Sequence, residues 1–202
     1  MPVDGSTEFQ TVYRGKSLLG RAMGERKTHR PVLLLIGAFS RYPAALDWAR
    51  RQAEQLLGPI ALESPLFDFH ETAFYERTMG GNIRKQFWAF ERLIDPGTLA
   101  SLKRTTNDWE AQYRGEFSTP EPRPLNLDPG YLTEAKLVLA TTKDRDHRLY
   151  LDQGIFAEGT LYFQGGKWCP REWTYPDYRR SDYHQFFLLC RQYLRDRYQA
   201  GT

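Results

Sequence analysis

Cysteine is scarce in this chain, with two residues, Cys169 and Cys190, among 202. Their separation matches no metal-ligand spacing, and Cys190 falls on the apolar side of a helical pattern. Reduced, packed thiols are therefore expected, which suits a cytoplasmic address. Long apolar runs are missing too. The longest, Val32 to Phe39, is far below the roughly 18–20 residues of a membrane helix, so no membrane partner is expected. Near the start, Ser17-Leu18-Leu19-Gly20 is too short for the apolar core of a signal peptide. A strong charge of one sign is absent: the net charge is +3, which favours anionic partners only weakly. Also absent are a P-loop, a GxGxxG after the first strand, HExxH, GxSxG and any Cys–His zinc pattern. No metal site follows from the sequence, no cofactor is implied, and no internal repeat is visible.

Aromatic residues, by contrast, are plentiful: twelve Tyr, twelve Phe and five Trp. They supply large core side chains and surface for a ligand or partner. With 41% apolar and 26% charged residues, the composition is that of a folded globular protein, and the length suits one domain. Between Arg14 and Arg30, the bases Arg14, Lys16, Arg21, Arg26, Lys27 and Arg30 face only Glu25. Residues 1–29 accordingly read as a flexible basic tail and residues 30–199 as a single domain.

Within that domain, Val32 to Phe39 reads as a strand covered on both faces. Pro43 opens a helix whose inner stripe is Leu46, Ala49, Ala53, Leu56 and Leu57, and Gly58-Pro59 stops it. Ile60 to Phe69 reads as a strand interrupted near Pro65. Ile83, Phe87, Phe90 and Ile94 recur at helical spacing and predict a second helix. Asp95 caps a third, with Pro96 at its first position and Leu99, Leu102, Trp109 and Tyr113 inward. Arg114 to Pro124 is a Pro-rich surface loop. Asp128-Pro129 has helix-opening chemistry, which predicts a helix through about Ala140, with Leu137-Val138-Leu139 as a strand the alternative. A meander follows, with a three-residue loop at Asp152-Gln153-Gly154 and a Gly165-Gly166 turn. Tyr183, Phe186, Phe187, Cys190 and Leu194 mark an amphipathic C-terminal helix. The fold class is therefore α+β: a mixed sheet with an antiparallel C-terminal meander, packed against several helices.

The loop lengths set a register for the meander. They pair Leu149 with Ala157, Arg148 with Glu158, Thr160 with Arg171 and Glu158 with Trp173. Leu149, Leu151, Ile155, Ala157, Leu161, Phe163 and Trp168 then face the core. Arg148, Tyr150, Glu158, Thr160, Tyr162, Arg171 and Trp173 share the other face. An Arg–Glu–Trp row can hold a planar or anionic ligand, though taken alone it is better explained as ordinary cross-strand pairs. Lys143 and Asp144 lie just before this sheet, with His147 expected to point inward. Trp173-Thr174-Tyr175-Pro176-Asp177-Tyr178-Arg179 is rich in rigid aromatics for a connector and suits a ligand wall. Gly80-Gly81 before the expected second helix is a weak anion-site signal. Asp68, His70 and Glu71 read as a turn and a cap before they read as a metal site.

At these residues the sequence resembles a bacterial family of uncharacterised proteins, domain-of-unknown-function family 4416. The resemblance runs from about Pro31 to Tyr198. It rests on Phe67-Asp68-Phe69, Met79-Gly80, Asn126-Leu127-Asp128-Pro129-Gly130-Tyr131, Thr142-Lys143-Asp144 with His147-Arg148, Gly154-Ile155 and the Trp173–Arg179 segment. His70 and Thr78 depart from the pattern, where a Thr and an acid are usual. The resemblance implies membership and carries no mechanism.

The leading functional reading is a site for a small anionic ligand, phosphorylated or nucleotide-like. It is built from Asp128 and Tyr131, Lys143 and Asp144, Arg148 and Glu158, and Trp173, Asp177 and Arg179. If the protein is an enzyme, Lys143 and Arg148 would stabilise negative charge, and Asp128 or Glu158 would act as general base. An RNA-binding module stacking bases on an aromatic sheet face is the second reading, and a non-catalytic protein-interaction domain the third. The sequence fixes neither a reaction nor an oligomeric state.

Overall fold

The structure, a computed structural model, describes residues 28–70 and 75–201. The expected tail lies outside the described residues as far as residue 27, as does Glu71. Nine strands form one antiparallel sheet among these residues: β1 (Leu33–Ser40), β2 (Ile60–Glu63), β3 (Phe67–Asp68), β4 (Arg84–Phe90), β5 (Asn126–Leu132), β6 (Lys136–Thr141), β7 (Leu149–Asp152), β8 (Ile155–Gln164) and β9 (Lys167–Pro170). The order is β2-β4-β1-β5-β6-β8-β7, with β3 added to β4 and β9 to β8. Four α-helices accompany it: α1 (Pro43–Leu57), α2 (Glu76–Met79), α3 (Leu99–Glu116) and α4 (Ser181–Gln199). None is long and apolar enough to cross a membrane.

The all-apolar run of β1 is explained by its place in the middle of the sheet. Leu34 and Ile36 pack on one face with Ala45, Ala49 and Ala53 of α1 and Trp109 of α3. Leu33 and Leu35 point the other way, to Phe186, Phe187 and Leu194 of α4. Each such side chain contributes roughly 1.5–3 kcal/mol on burial. Helix starts follow the expected chemistry: Pro43 opens α1. Asp95 accepts from Gly97 N ahead of α3, with Pro96 at the first position of the short 3-10 turn that leads into it.

The α+β class stands, with several corrections of detail. Every strand pairing is antiparallel, so the sheet is not mixed. Residues 84–90 form a strand and not a helix. Phe87 and Ala89 face α4 while Trp88 and Phe90 face α1, so both stripes are apolar and the helical spacing was coincidental. Residues 126–141 are two strands. Pro129 is tolerated because β6 pairs β5 only from Gly130 onward, so β5 has an open side at Pro129. The hairpin between β7 and β8 turns on two residues, Gln153 and Gly154, both with positive φ, and a bulge near Leu151 absorbs the third.

Two register consequences follow. Leu149↔Ala157 forms as expected, but β7 is an edge strand, and Leu149 is 73% and Leu151 41% exposed rather than in the core. In β8, Thr160 is an extra residue between the pairs Val138↔Gly159 and Leu137↔Leu161. Ile155 and Ala157 therefore face α3, while Leu161 and Trp168 face α4. The single apolar face expected for the meander does not exist. Nor do the ladder pairs Thr160 with Arg171 and Glu158 with Trp173, because β9 ends at Pro170. Side chains make the link instead: Trp173 Nε1 donates to Gly159 O at 3.1 Å and Thr174 Oγ1 to Thr160 O at 2.5 Å.

Candidate functional site

β5 and β6 pair over Gly130–Leu132 and Leu137–Leu139, and then part. Where Asn126 and Asp128 of β5 face the far end of β6, a cavity of about 140 Å³ opens. Its floor takes Phe39 from β1 and Lys85 from β4. Lys103 and Asn107 of α3 form one side, and Thr141, Thr142 and Lys143 follow β6 on the other. Arg148 and Glu158 enter from the meander, and Tyr175 to Tyr178 close over them. Phe69, Tyr75 and Arg123 complete the wall.

Three ion pairs, two of them buried and the third half-buried, knit these segments together. Arg148 Nε donates to Glu158 Oε2 at 2.7 Å, and its other nitrogens donate to Lys143 O and Tyr175 Oη, each at 2.8 Å. Lys85 Nζ meets Asp177 Oδ2 at 2.6 Å. It also lies 4.3 Å from the Tyr178 ring centre, with Phe39 and Phe87 little farther off. Lys103 Nζ donates to Leu127 O at 2.7 Å and to Asp128 Oδ1 at 3.3 Å. Arg123 is held differently: Nη2 donates to Glu110 Oε2 at 3.1 Å, and its backbone N–H to Thr78 O.

The charges act on one another. Burial alone would raise the Asp128 carboxyl, but Lys103, Lys85 and Arg123 hold it below its ordinary value. Burial lowers Lys143, and the nearby Arg123 and Arg148 lower it further. Burial likewise pushes up the Glu110 carboxyl and the Tyr75 and Tyr178 hydroxyls. Tyr178 Oη is buried without a hydrogen-bond partner. The wall thus carries five cationic and three anionic side chains, an excess of positive charge in a partly desolvated space.

Of the residues singled out by sequence, Asp128, Lys143, Arg148, Glu158 and Asp177 line this cavity. Tyr131, Asp144, Trp173 and Arg179 do not. Tyr131 packs half-buried against the core. Trp173 stacks on His147 at 5.1 Å behind Glu158. Arg179 donates to the carbonyls of Thr174, Arg171 and Glu172, fastening the segment before α4. Asp177 neutralises Lys85 rather than Arg179. Lys85, Lys103 and Arg123 were missed. Lys85 sat in the misassigned helix, Lys103 is a lone Lys on an otherwise ordinary helix, and Arg123 lies in a loop with no periodicity.

The other candidates resolve simply. Gly80-Gly81 precede β4 and not a helix, so no helix N-terminus awaits an anion there. Asp68 pairs with Arg84 at 3.0 Å. Among the described residues no His, Cys, Asp and Glu side chains cluster as a metal site would need.

The model of the family described as Domain of unknown function (DUF4416) matches residues 30–193. The chain belongs to that family. Every residue lining the cavity falls within the matched DUF4416 region. Comparison with curated proteins and with solved structures returns no match.

Proposed function

We propose that the protein binds a small anionic ligand, phosphorylated or nucleotide-like, in the cavity between β5, β6 and α3. One observation carries the reading: chain segments from Lys85 to Asp177 converge five cations and three acids on one concave space walled by aromatic rings. Glu110, behind the wall, offsets part of this charge at Arg123, and the positive excess on the wall itself favours an anionic occupant. Binding, and not turnover, is what the charges favour. Asp128, held low by its cationic neighbours, is a weak base, and the Glu158 carboxylate is engaged by Arg148.

A thermal-shift screen against phosphate esters, nucleotides and organic acids tests this. A ligand at one hundred times its Kd adds roughly 2.7 kcal/mol of stability. Anions are expected to raise Tm, and Lys143→Ala to abolish the shift. An equal response to neutral analogues, or none to any anion, would overturn the reading.

A further inference from the structure

Resting on that binding reading, we infer that the anion carries neighbouring hydroxyl groups, and that Asp128 and Asn126 take them. Of the three acids on the wall, Asp128 is the accessible one. Its side chain is 27% exposed, against 7% for Asp177 and 2% for Glu158. Those two are closed off by their cations, Lys85 at 2.6 Å and Arg148 at 2.7 Å. Asp128 meets Lys103 more loosely, at 3.3 Å and through Oδ1. An ionised carboxylate accepts about four hydrogen bonds, so Asp128 keeps acceptor capacity for a ligand.

Asn126 stands two residues before Asp128 in β5, so both side chains leave the same face of the sheet, and both border the cavity. Asn126 is 1% exposed. Its amide helps to hold the Asp128 carboxyl low, yet among the described residues Nδ2 has no partner within hydrogen-bond distance. A buried donor left unmade is costly, and a ligand oxygen would relieve it. A carboxylate beside an amide offers acceptors and a donor together. A hydroxyl both donates and accepts, so adjacent hydroxyls on a short chain match the pair. An ammonium suits Asp128 less well: Lys103, Lys85 and Arg123 already offset its charge, and a further cation would join five on the wall.

Size sets the carbon chain. A cavity of about 140 Å³ is comparable to one that holds a benzene ring, so roughly three or four carbons fit beside the charged group.

Isothermal titration of the full chain with glycerate, propionate, serine, glycerol phosphate and propyl phosphate tests the inference. In whichever series binds, carboxylate or phosphate, the hydroxylated anion is expected to bind about tenfold or more tightly than its deoxy counterpart. Asp128→Asn and Asn126→Leu are each expected to abolish that preference. The ratio is the readout, because loss of the Asp128 charge raises affinity for both members of a pair alike. Equal binding of hydroxylated and deoxy anions to the unaltered protein would overturn the hydroxyl recognition and leave the binding reading in place, and it requires no variant to fold. Tighter binding of serine than of glycerate would overturn the hydroxyl in favour of an ammonium at Asp128. An unchanged ratio in both variants would overturn the assignment to Asp128 and Asn126. Failure of all five probes would overturn the binding reading itself, and this inference with it.

Discussion

Replacing Glu158 by Gln preserves the shape of the side chain and removes its charge. The Glu158 and Arg148 side chains are 2% and 3% exposed, and the carboxylate takes Arg148 Nε at 2.7 Å. Arg148 would keep its bonds to Lys143 O and Tyr175 Oη, but its buried charge would lose its counterion. Breaking a buried pair from one side costs about 3–5 kcal/mol. The guanidinium borders a cavity that water can enter, so the lower end of that range applies here. At about 3 kcal/mol, a chain of this size should lose roughly 6–12 °C in Tm. Urea denaturation with an unchanged m-value would assign the loss to stability and not to a changed denatured state. The double variant Glu158→Leu with Arg148→Met should recover most of the loss, because it removes both charges. A cost below about 1 kcal/mol for Glu158→Gln would place the pair in the range of solvated surface bridges. That result would refute the view that these charges are buried scaffolding of the site.

Gly130→Ala should cost about 1–3 kcal/mol by urea denaturation, because the new methyl would fall on Val138 O and 2.7 Å from Leu139 Cδ2; no change would mean that β5 and β6 approach less closely. Lys143→Met should raise stability at neutral pH. The folded protein holds the Lys143 pKa below its ordinary 10.5, so charging this group opposes folding at every pH below the lowered value. The advantage should shrink between the lowered value and 10.5 and vanish above it, and a stabilisation that persists at higher pH would contradict the cause assigned. Arg179→Ala should cost about 1.5–3 kcal/mol through its lost bonds to backbone carbonyls and leave anion binding unchanged, with Tm and titration as the two readouts.

Elements with local punctuation were legible in the sequence. α1 and α3 announced themselves through Pro43, Pro96 and Asp95, the β8–β9 turn through Gly165-Gly166, and α4 through its apolar stripe. Elements whose character depends on neighbours were not. β4 is buried on both faces, so its alternation is hidden, and Phe87 and Phe90 mimicked a helical repeat. Pro129 read as a helix start because nothing local reveals that β6 leaves the adjoining stretch of β5 unpaired. The same separation opens the cavity, so the misread segment is the one that forms the site. Arg148 with Glu158 was legible from turn lengths, although side-chain reach and not a ladder pair joins them. Lys85 with Asp177 spans distant segments of chain and had no sequence signal.

The central claim is that a small anion binds in the cavity between β5, β6 and α3. Tungstate is a heavy-atom mimic of phosphate, and its anomalous signal in soaked crystals locates it without reference to any assumed ligand. The account predicts a peak inside the cavity, and its loss in Lys143→Ala. Peaks confined to surface arginines, with none in the cavity, would contradict it.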